Sequence, residues 1–156
     1  MAVYLVRHAD AGARREWHQP DDLRTLTARG RREADAAARW LGERPVTRIL
    51  SSPALRCRET VQPLAERLGL EVGLERALLE GAPLQDAVAL VRAVAGGDVV
   101  VCSHGDVIPD VLSWLMGKGM RTGPDRRCQK GSIWVLEADG AEFVRGEYVP
   151  PPCATG

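Results

Sequence analysis

Short apolar runs alternate with longer amphipathic stretches along the chain, and this pattern predicts strands that alternate with helices. Runs rich in β-branched residues predict strands at Ala2–Arg7, Val46–Leu50, Glu71–Leu74 and Asp98–Ser103. Apolar positions at helical spacing predict helices from Ala28 to about Glu43, from Ser52-Pro53 to about Leu68, over Leu84–Val94 and over Val107–Met116. Strands that alternate with helices predict an α/β fold with three layers (α/β/α) around a mostly parallel central sheet.

Two local signals bear on the second of these helices. Ser52 is a candidate N-cap, with Pro53 at the first helical position. Pro63 stands inside the same helix, where a missing N–H predicts a kink or a break, and Gly69 predicts its end.

The C-terminal third has a different pattern. Ser132–Glu137 and Glu142–Tyr148 alternate apolar and polar residues around Asp139-Gly140, which predicts an antiparallel hairpin at an edge of the sheet. The stretch Gly117–Lys130 before it is predicted to be a loop. The chain length of 156 residues favours one domain, over residues 1–149, followed by a flexible tail over residues 150–156.

Composition narrows the functional classes. The chain has 21 basic and 21 acidic residues, and this balance argues against a nucleic-acid-binding protein. No apolar stretch is long enough to span a membrane, and the N-terminus does not resemble a secretion signal. The 4 cysteines form no C-x-x-C motif, so we expect reduced thiols in a cytoplasmic protein. The oligomeric state is not predictable from the sequence.

Unusual side chains follow three of the predicted strands. Arg7-His8 ends the first strand, Arg56 lies one turn into the helix after the second, and Ser103-His104-Gly105 ends the most apolar strand. Ligands of open α/β sheets bind at the carboxyl ends of the strands, where these residues would converge. Guanidinium groups match phosphate in geometry and charge, so the set predicts a phosphoryl site.

Other phosphate chemistries lack their sequence signals here. The chain has no G-x-x-x-x-G-K-[ST] motif, which excludes a P-loop, and no carboxylate cluster typical of a metal-dependent phosphatase. We therefore expect no metal and no cofactor. A histidine beside arginines can attack phosphorus if one ring nitrogen is unprotonated and the other donates to a fixed acceptor. Neighbouring arginines disfavour the imidazolium and so favour that state.

These residues resemble a known family. The similarity is carried by Val3–His8, by Thr27-Ala28-Arg29-Gly30, by Ser52-Pro53-Ala54-Leu55-Arg56 with Glu59-Thr60, and by Ser103-His104, in that order. Together they resemble the histidine phosphatase superfamily, also called phosphoglycerate-mutase-like, over about residues 2 to 112. The short chain is most similar to the small bacterial phosphohistidine phosphatases. It also looks like the phosphatase domain that some actinobacterial proteins carry after a Nudix hydrolase domain.

The resemblance implies a role for each matching residue. His8 would be the phosphorylated nucleophile. Arg7, Arg56 and His104 would bind the phosphoryl group, with the backbone of Gly105 assisting. Glu80 stands where the family's proton donor is expected, and Asp10 is the competing candidate. Ala9 departs from the glycine that usually follows the nucleophile, which places a methyl group near the pocket.

Three functions are compatible with these residues. The first is a metal-independent phosphatase that hydrolyses a phosphomonoester or a protein phosphohistidine through a covalent intermediate on His8. The second is a module that binds phosphate or phosphoesters without turnover. The third and least favoured is a phosphoglycerate mutase, because so short a chain leaves little room to enclose a sugar phosphate.

Overall fold

The computed structural model describes residues 1–152, in which strands and helices alternate as predicted. The strands are β1 (Ala2–Arg7), β2 (Arg48–Ser51), β3 (Val72–Leu74), β4 (Val99–Ser103), β5 (Arg121–Thr122), β6 (Ile133–Asp139) and β7 (Glu142–Val149). The α-helices are α1 (Ala28–Gly42), α2 (Leu55–Leu68), α3 (Leu84–Ala93) and α4 (Val107–Gly117). Short 3₁₀ turns cover Arg14–Glu16, Asp21–Leu23 and Arg76–Leu78. The predicted tail extends to residues 153–156, which lie outside the described residues.

All the strands join one sheet in the order β3-β2-β4-β1-β6-β7-β5. The first four of these run parallel, β6 is antiparallel to both β1 and β7, and β5 is parallel to β7. The predicted α/β fold and C-terminal hairpin are confirmed. The edge position of the hairpin was wrong, because β5 lies beyond β7. This two-residue strand interrupts the predicted loop Gly117–Lys130, and a strand so short leaves no periodic signal.

Two apolar cores lie on opposite faces of the sheet. On one face, α1 and α2 pack on inward residues such as Tyr4, Val6 and Ile49. On the other face, α3 and α4 pack on Val101 and Trp134, among others. Successive strand residues face opposite sides, so β4, which is buried throughout, supplies both cores. The predicted three-layer arrangement follows from this alternation.

The start of α2 differs from the prediction. The helix begins at Leu55, two residues after Pro53, and its N-cap residue is Ala54. The Ser52 hydroxyl accepts the N–H of Ala54 and also contacts a histidine ring, so it does not cap the helix. Of the kink or break predicted at Pro63, the break is wrong, because α2 continues through this residue. Its buried face holds the helix together across the proline.

The described part of the chain has no helix with both the length and the apolar character needed to cross a bilayer.

Candidate active site

The chemistry-bearing residues meet at the carboxyl ends of the parallel strands. In the sheet register Arg7 is paired with Ser103, and Ser51 with Cys102, so β1, β2 and β4 end at the same level. His8 and His104 follow β1 and β4 directly. Their rings lie edge to face, with centroids 5.5 Å apart and planes at 65°. The sequence prediction that these strand ends converge is confirmed.

His8 is held in one tautomer. Its side chain is almost fully buried, and Nδ1 lies 2.8 Å from the carbonyl oxygen of Ala9. A carbonyl oxygen only accepts, so Nδ1 carries the proton and Nε2 has a free lone pair. Burial, which has the largest effect, and the positive charges of Arg56 and Arg7 lower the pKa of His8 to about 3. The ring is therefore neutral at physiological pH, and burial contributes more to this than the arginines that the sequence indicated.

Arg56 extends from the first turn of α2 and is 1% exposed. Its Nη1 donates to the carbonyl oxygen of Asp21 at 2.8 Å, and its Nη2 lies 3.1 Å from the carboxylate Oδ2 of the same residue. Nη2 also lies 3.3 Å from Nδ1 of His104. The guanidinium is thus fixed in orientation against the second histidine.

The contacts of His104 define its protonation. A guanidinium only donates, so Nδ1 of His104 accepts from Arg56 and the proton lies on Nε2. Nε2 is 2.9 Å from Oγ of Ser52, to which it donates, and 3.6 Å from Sγ of Cys57. The ring is buried between these partners and cannot turn freely.

Arg7 crosses over a glycine. Its Nη1 donates to the carbonyl oxygen of Cys128 at 2.7 Å. A Cβ atom at Gly105 would lie 2.6 Å from Cζ of Arg7 and 2.8 Å from its Nε, so any side chain at this position would displace the guanidinium. Within residues 1–152, the buried Nε atoms of Arg7 and Arg56 have no hydrogen-bond partner. Two guanidinium groups beside a neutral imidazole suit a tetrahedral oxyanion.

The two candidate acids lie in different surroundings. Oε2 of Glu80 lies 3.7 Å from Nη2 of Arg56 and also pairs with Arg14, at the mouth of the site. Asp10 accepts the Thr27 hydroxyl at 2.6 Å and lies 3.6 Å from Nζ of Lys130. The Thr27 hydrogen bond, against the effect of burial, lowers the pKa of Asp10. Of the two acids, Glu80 is the one within reach of the Arg56 guanidinium.

Ala9 does not disturb the site. Its methyl group is fully buried in a small apolar cluster with Ala11, Leu26 and Ala34. No non-glycine residue among residues 1–152 has a positive φ, so the backbone at Ala9 does not require glycine. Its carbonyl belongs to the peptide whose N–H, that of Asp10, donates to Oε1 of Glu33 at 2.8 Å, and this bond helps to fix the carbonyl that holds His8.

Sequence reasoning missed the residues that hold the arginines and His104. Asp21 belongs to a polar loop without periodicity, and it pairs with Arg14, Arg24 and Arg56. Ser52 was assigned to the helix cap and instead orients His104. In the sequence, Ser52 is marked only by its place in the Ser52–Arg56 segment. Asp21 is marked only by its place in the turn before Arg24.

The fold and this site define an open α/β protein with a cluster of arginine and histidine side chains at the carboxyl edge of its sheet. Among residues 1–152, no group of three or more His, Cys, Asp or Glu side chains is arranged to hold a metal ion. The model of the histidine phosphatase superfamily (branch 1) matches residues 3–83. The chain belongs to this superfamily.

Individual relatives agree with this assignment. The chain is 33% identical over 155 residues to an 8-oxo-(d)GTP phosphatase of Mycolicibacterium smegmatis, a match that covers 96% of this chain and 48% of the relative. The chain thus spans about half the length of that curated relative. Among solved structures it resembles the protein histidine phosphatase SixA complexed with tungstate, with a TM-score of 0.77 and 21% identity, over 99% of this chain and 98% of that one. It also resembles a mycobacterial glucosyl-3-phosphoglycerate phosphatase, with a TM-score of 0.72 and 20% identity, over 97% and 99% of the two chains. These two likenesses concern the fold.

Proposed function

We propose that the chain is a metal-independent phosphatase that carries the phosphoryl group on His8. The observation that supports this most directly is the bond from Nδ1–H of His8 to the Ala9 carbonyl, because it leaves Nε2 unprotonated beside Arg7 and Arg56. The substrates would be phosphomonoesters or protein phosphohistidines. The name of the M. smegmatis relative adds nucleotides to the classes to be tested.

The reaction has two steps. Nε2 of His8 attacks phosphorus, the bond from phosphorus to the leaving group breaks, and the Glu80 carboxyl gives the leaving group its proton. Water then attacks phosphorus while the Glu80 carboxylate takes a proton from it. The bond from phosphorus to Nε2 breaks, its electron pair returns to the His8 ring, and inorganic phosphate leaves. Arg7 and Arg56 hold the charge that spreads over the equatorial oxygens in both steps, and His104 fixes the Arg56 guanidinium beside them. The Ala9 carbonyl stabilises the cationic ring of the intermediate.

The nucleophile is tested by turnover in excess chelator. The wild type should release phosphate and form an acid-labile phosphoenzyme, and His8→Ala should lose more than about 10³-fold in activity and the phosphoenzyme with it. His18→Ala is the matched control, because His18 is exposed in a loop and should behave as the wild type. Equal activity of His8→Ala and the wild type would contradict the proposal. Tight binding of phosphoesters without turnover would favour the binding module instead.

The acid is tested by varying the leaving group. Glu80→Gln should lower kcat/KM, which reports the steps up to phosphoenzyme formation, about 10²-fold on an alkyl phosphate and far less on p-nitrophenyl phosphate, whose leaving group needs no proton. Asp10→Asn is the control and should change both substrates by the same small factor. The reverse pattern would assign the acid role to Asp10.

A further inference from the structure

A groove of about 790 Å³ lies far from His8, at the other end of the sheet. Its walls are the end of α4, strand β5 with the turn after it, and the start of β7. In the sheet register Arg145 of β7 is beside Glu137 of β6, which is beside Ala2 at the start of β1. His8 follows the opposite end of β1. The groove is therefore separate from the candidate active site, and a ligand bound there would not depend on the proposed function.

The groove has a surplus of positive charge. Lys118, Arg121 and Arg145 line it and are exposed. In the part of the chain that the structure describes, none of the three forms an ion pair with a carboxylate. Glu142 is the acidic residue of the lining, and it already lies 3.4 Å from Nη2 of Arg92. Three cations thus face the groove in a chain whose net charge is zero.

A bulge in β7 presents an apolar side chain between these cations. Glu137 pairs with Arg145 while the next residue of β6, Ala138, pairs with Phe143, so Val144 is an extra residue in β7. Such bulges re-aim side chains at sheet edges, and Val144 is 45% exposed. Gly119 and Gly123 have open space where their side chains would be, which keeps the opposite wall clear.

We propose that this groove binds an acidic peptide segment of a partner protein, with an apolar side chain on Val144 and carboxylates on Lys118, Arg121 and Arg145. A peptide segment can carry acidic and apolar side chains next to one another, whereas a phosphate backbone has no apolar group for Val144 to contact. Phe143 is the aromatic residue of the lining and it is buried, so the groove has no platform on which bases could stack.

The test is fluorescence anisotropy with the full chain and a labelled decapeptide in which a single leucine is flanked by aspartates and glutamates. The double variant Arg121→Ser/Arg145→Ser should raise Kd about 10-fold, since it removes two exposed ion pairs with the peptide. Val144→Thr should raise Kd about threefold, by the loss of apolar contact. Arg32→Ser, which removes one exposed charge from α1, is the control and should change Kd less than about twofold.

Further measurements distinguish the proposed peptide from other ligands of the groove. A peptide with serine in place of leucine should bind the wild type more weakly and should be insensitive to Val144→Thr. Hydrolysis of p-nitrophenyl phosphate by the groove variants should match the wild type. The proposal is overturned if the wild type does not bind the peptide, if Arg32→Ser weakens binding as much as the groove variant, or if an oligothymidylate of equal charge displaces the peptide as well as unlabelled peptide does.

Discussion

Cationic side chains at the two ends of the sheet lie in opposite environments. At the carboxyl end, Arg56 is almost fully buried and hydrogen-bonded to both the backbone and the carboxylate of Asp21. At the other end, Arg121 and Arg145 are exposed, and the described residues offer them no carboxylate partner. The same residue type is thus buried and hydrogen-bonded at one end of the sheet, and exposed without an ion pair to a described carboxylate at the other.

This difference separates two uses of positive charge. A buried guanidinium that is already oriented loses no further freedom when charge develops on a transferring phosphoryl group, and low polarity strengthens its effect. An exposed guanidinium is screened by salt and loses side-chain entropy on binding, which suits a reversible contact. We expect substitutions at the carboxyl end to affect catalysis strongly and those in the groove to leave it unchanged.

The largest expected effect is a loss of folding stability at low pH, which follows from the burial of the neutral His8 ring. The native pKa of about 3 lies below the ordinary 6.5, so between these values the unfolded chain binds a proton that the native chain does not. Stability is therefore lost as the pH falls from 6.5 towards 3, by about 2 kcal/mol at pH 5 and on the order of 4 kcal/mol near pH 3. Urea unfolding at pH 7 and pH 5 should show this loss in the wild type and not in His8→Gln.

His18→Gln is the control for this measurement, since the exposed His18 should leave the pH dependence of the wild type unchanged. Parallel stability curves for the wild type and His8→Gln would mean that His8 is not buried in its neutral form. The comparison between the two ends of the sheet would then lose its basis.

The next largest effect is expected for Arg56→Lys, which keeps the positive charge and removes the planar guanidinium with its several N–H donors. Lysine cannot contact Asp21, His104 and an oxyanion together, so kcat/KM should fall by about 10²–10³, or roughly 3–4 kcal/mol. Arg58→Lys, two residues further along α2 and partly exposed, is the matched control. Equal rates for the two variants in a steady-state assay would show that charge alone suffices at the carboxyl end.

A smaller effect is expected for Gly105→Ala. The new methyl group would lie 2.6 Å from Cζ of Arg7 and must push the guanidinium aside. A shift of about 1 Å in a positioning group can cost up to about 10² in rate, so we expect a loss in kcat/KM of between about 10- and 10²-fold. Gly117→Ala at the end of α4 meets no atom within 4 Å and should retain full activity. Wild-type activity in Gly105→Ala would show that the position of Arg7 is not critical.

The parts of the fold that were predictable are those with strong local patterns. β1 and β4 are buried apolar runs, and α1 begins at Ala28, directly after Thr27, whose Oγ1 accepts the N–H of Gly30 and caps the helix. The start of α2 was placed wrongly because Ser52 and Pro53 are good helix-start residues that here serve a turn. β5 is defined by its pairing with β7 alone, which no local pattern encodes.

The residues of the site divide in the same way into those that local patterns predict and those that they do not. Arg7, His8 and His104 were predictable because they follow strands that a sheet must align. The residues that hold them were not, since Asp21 reaches Arg56 only through the path of a polar loop between β1 and α1. The close approach of Arg7 to Gly105, where a side chain would clash with the guanidinium, depends likewise on tertiary packing. A sequence shows which groups are chemically competent, and the contacts that orient them come from distant segments.

The smallest of these effects is expected for Asp21→Asn, which tests whether orientation of Arg56 is itself important. Burial opposes ionisation of Asp21, but Arg56, Arg24 and Arg14 outweigh it and lower the pKa of the carboxyl. The amide keeps a hydrogen-bond acceptor and loses the charge, so we expect a fall in kcat/KM of about 10-fold. Asp22→Asn, exposed and next in the chain, should have no effect. If Asp21→Asn is as active as Asp22→Asn, the backbone carbonyl at position 21 suffices to orient Arg56, and the buried end of the sheet depends less on paired charge than its geometry indicates.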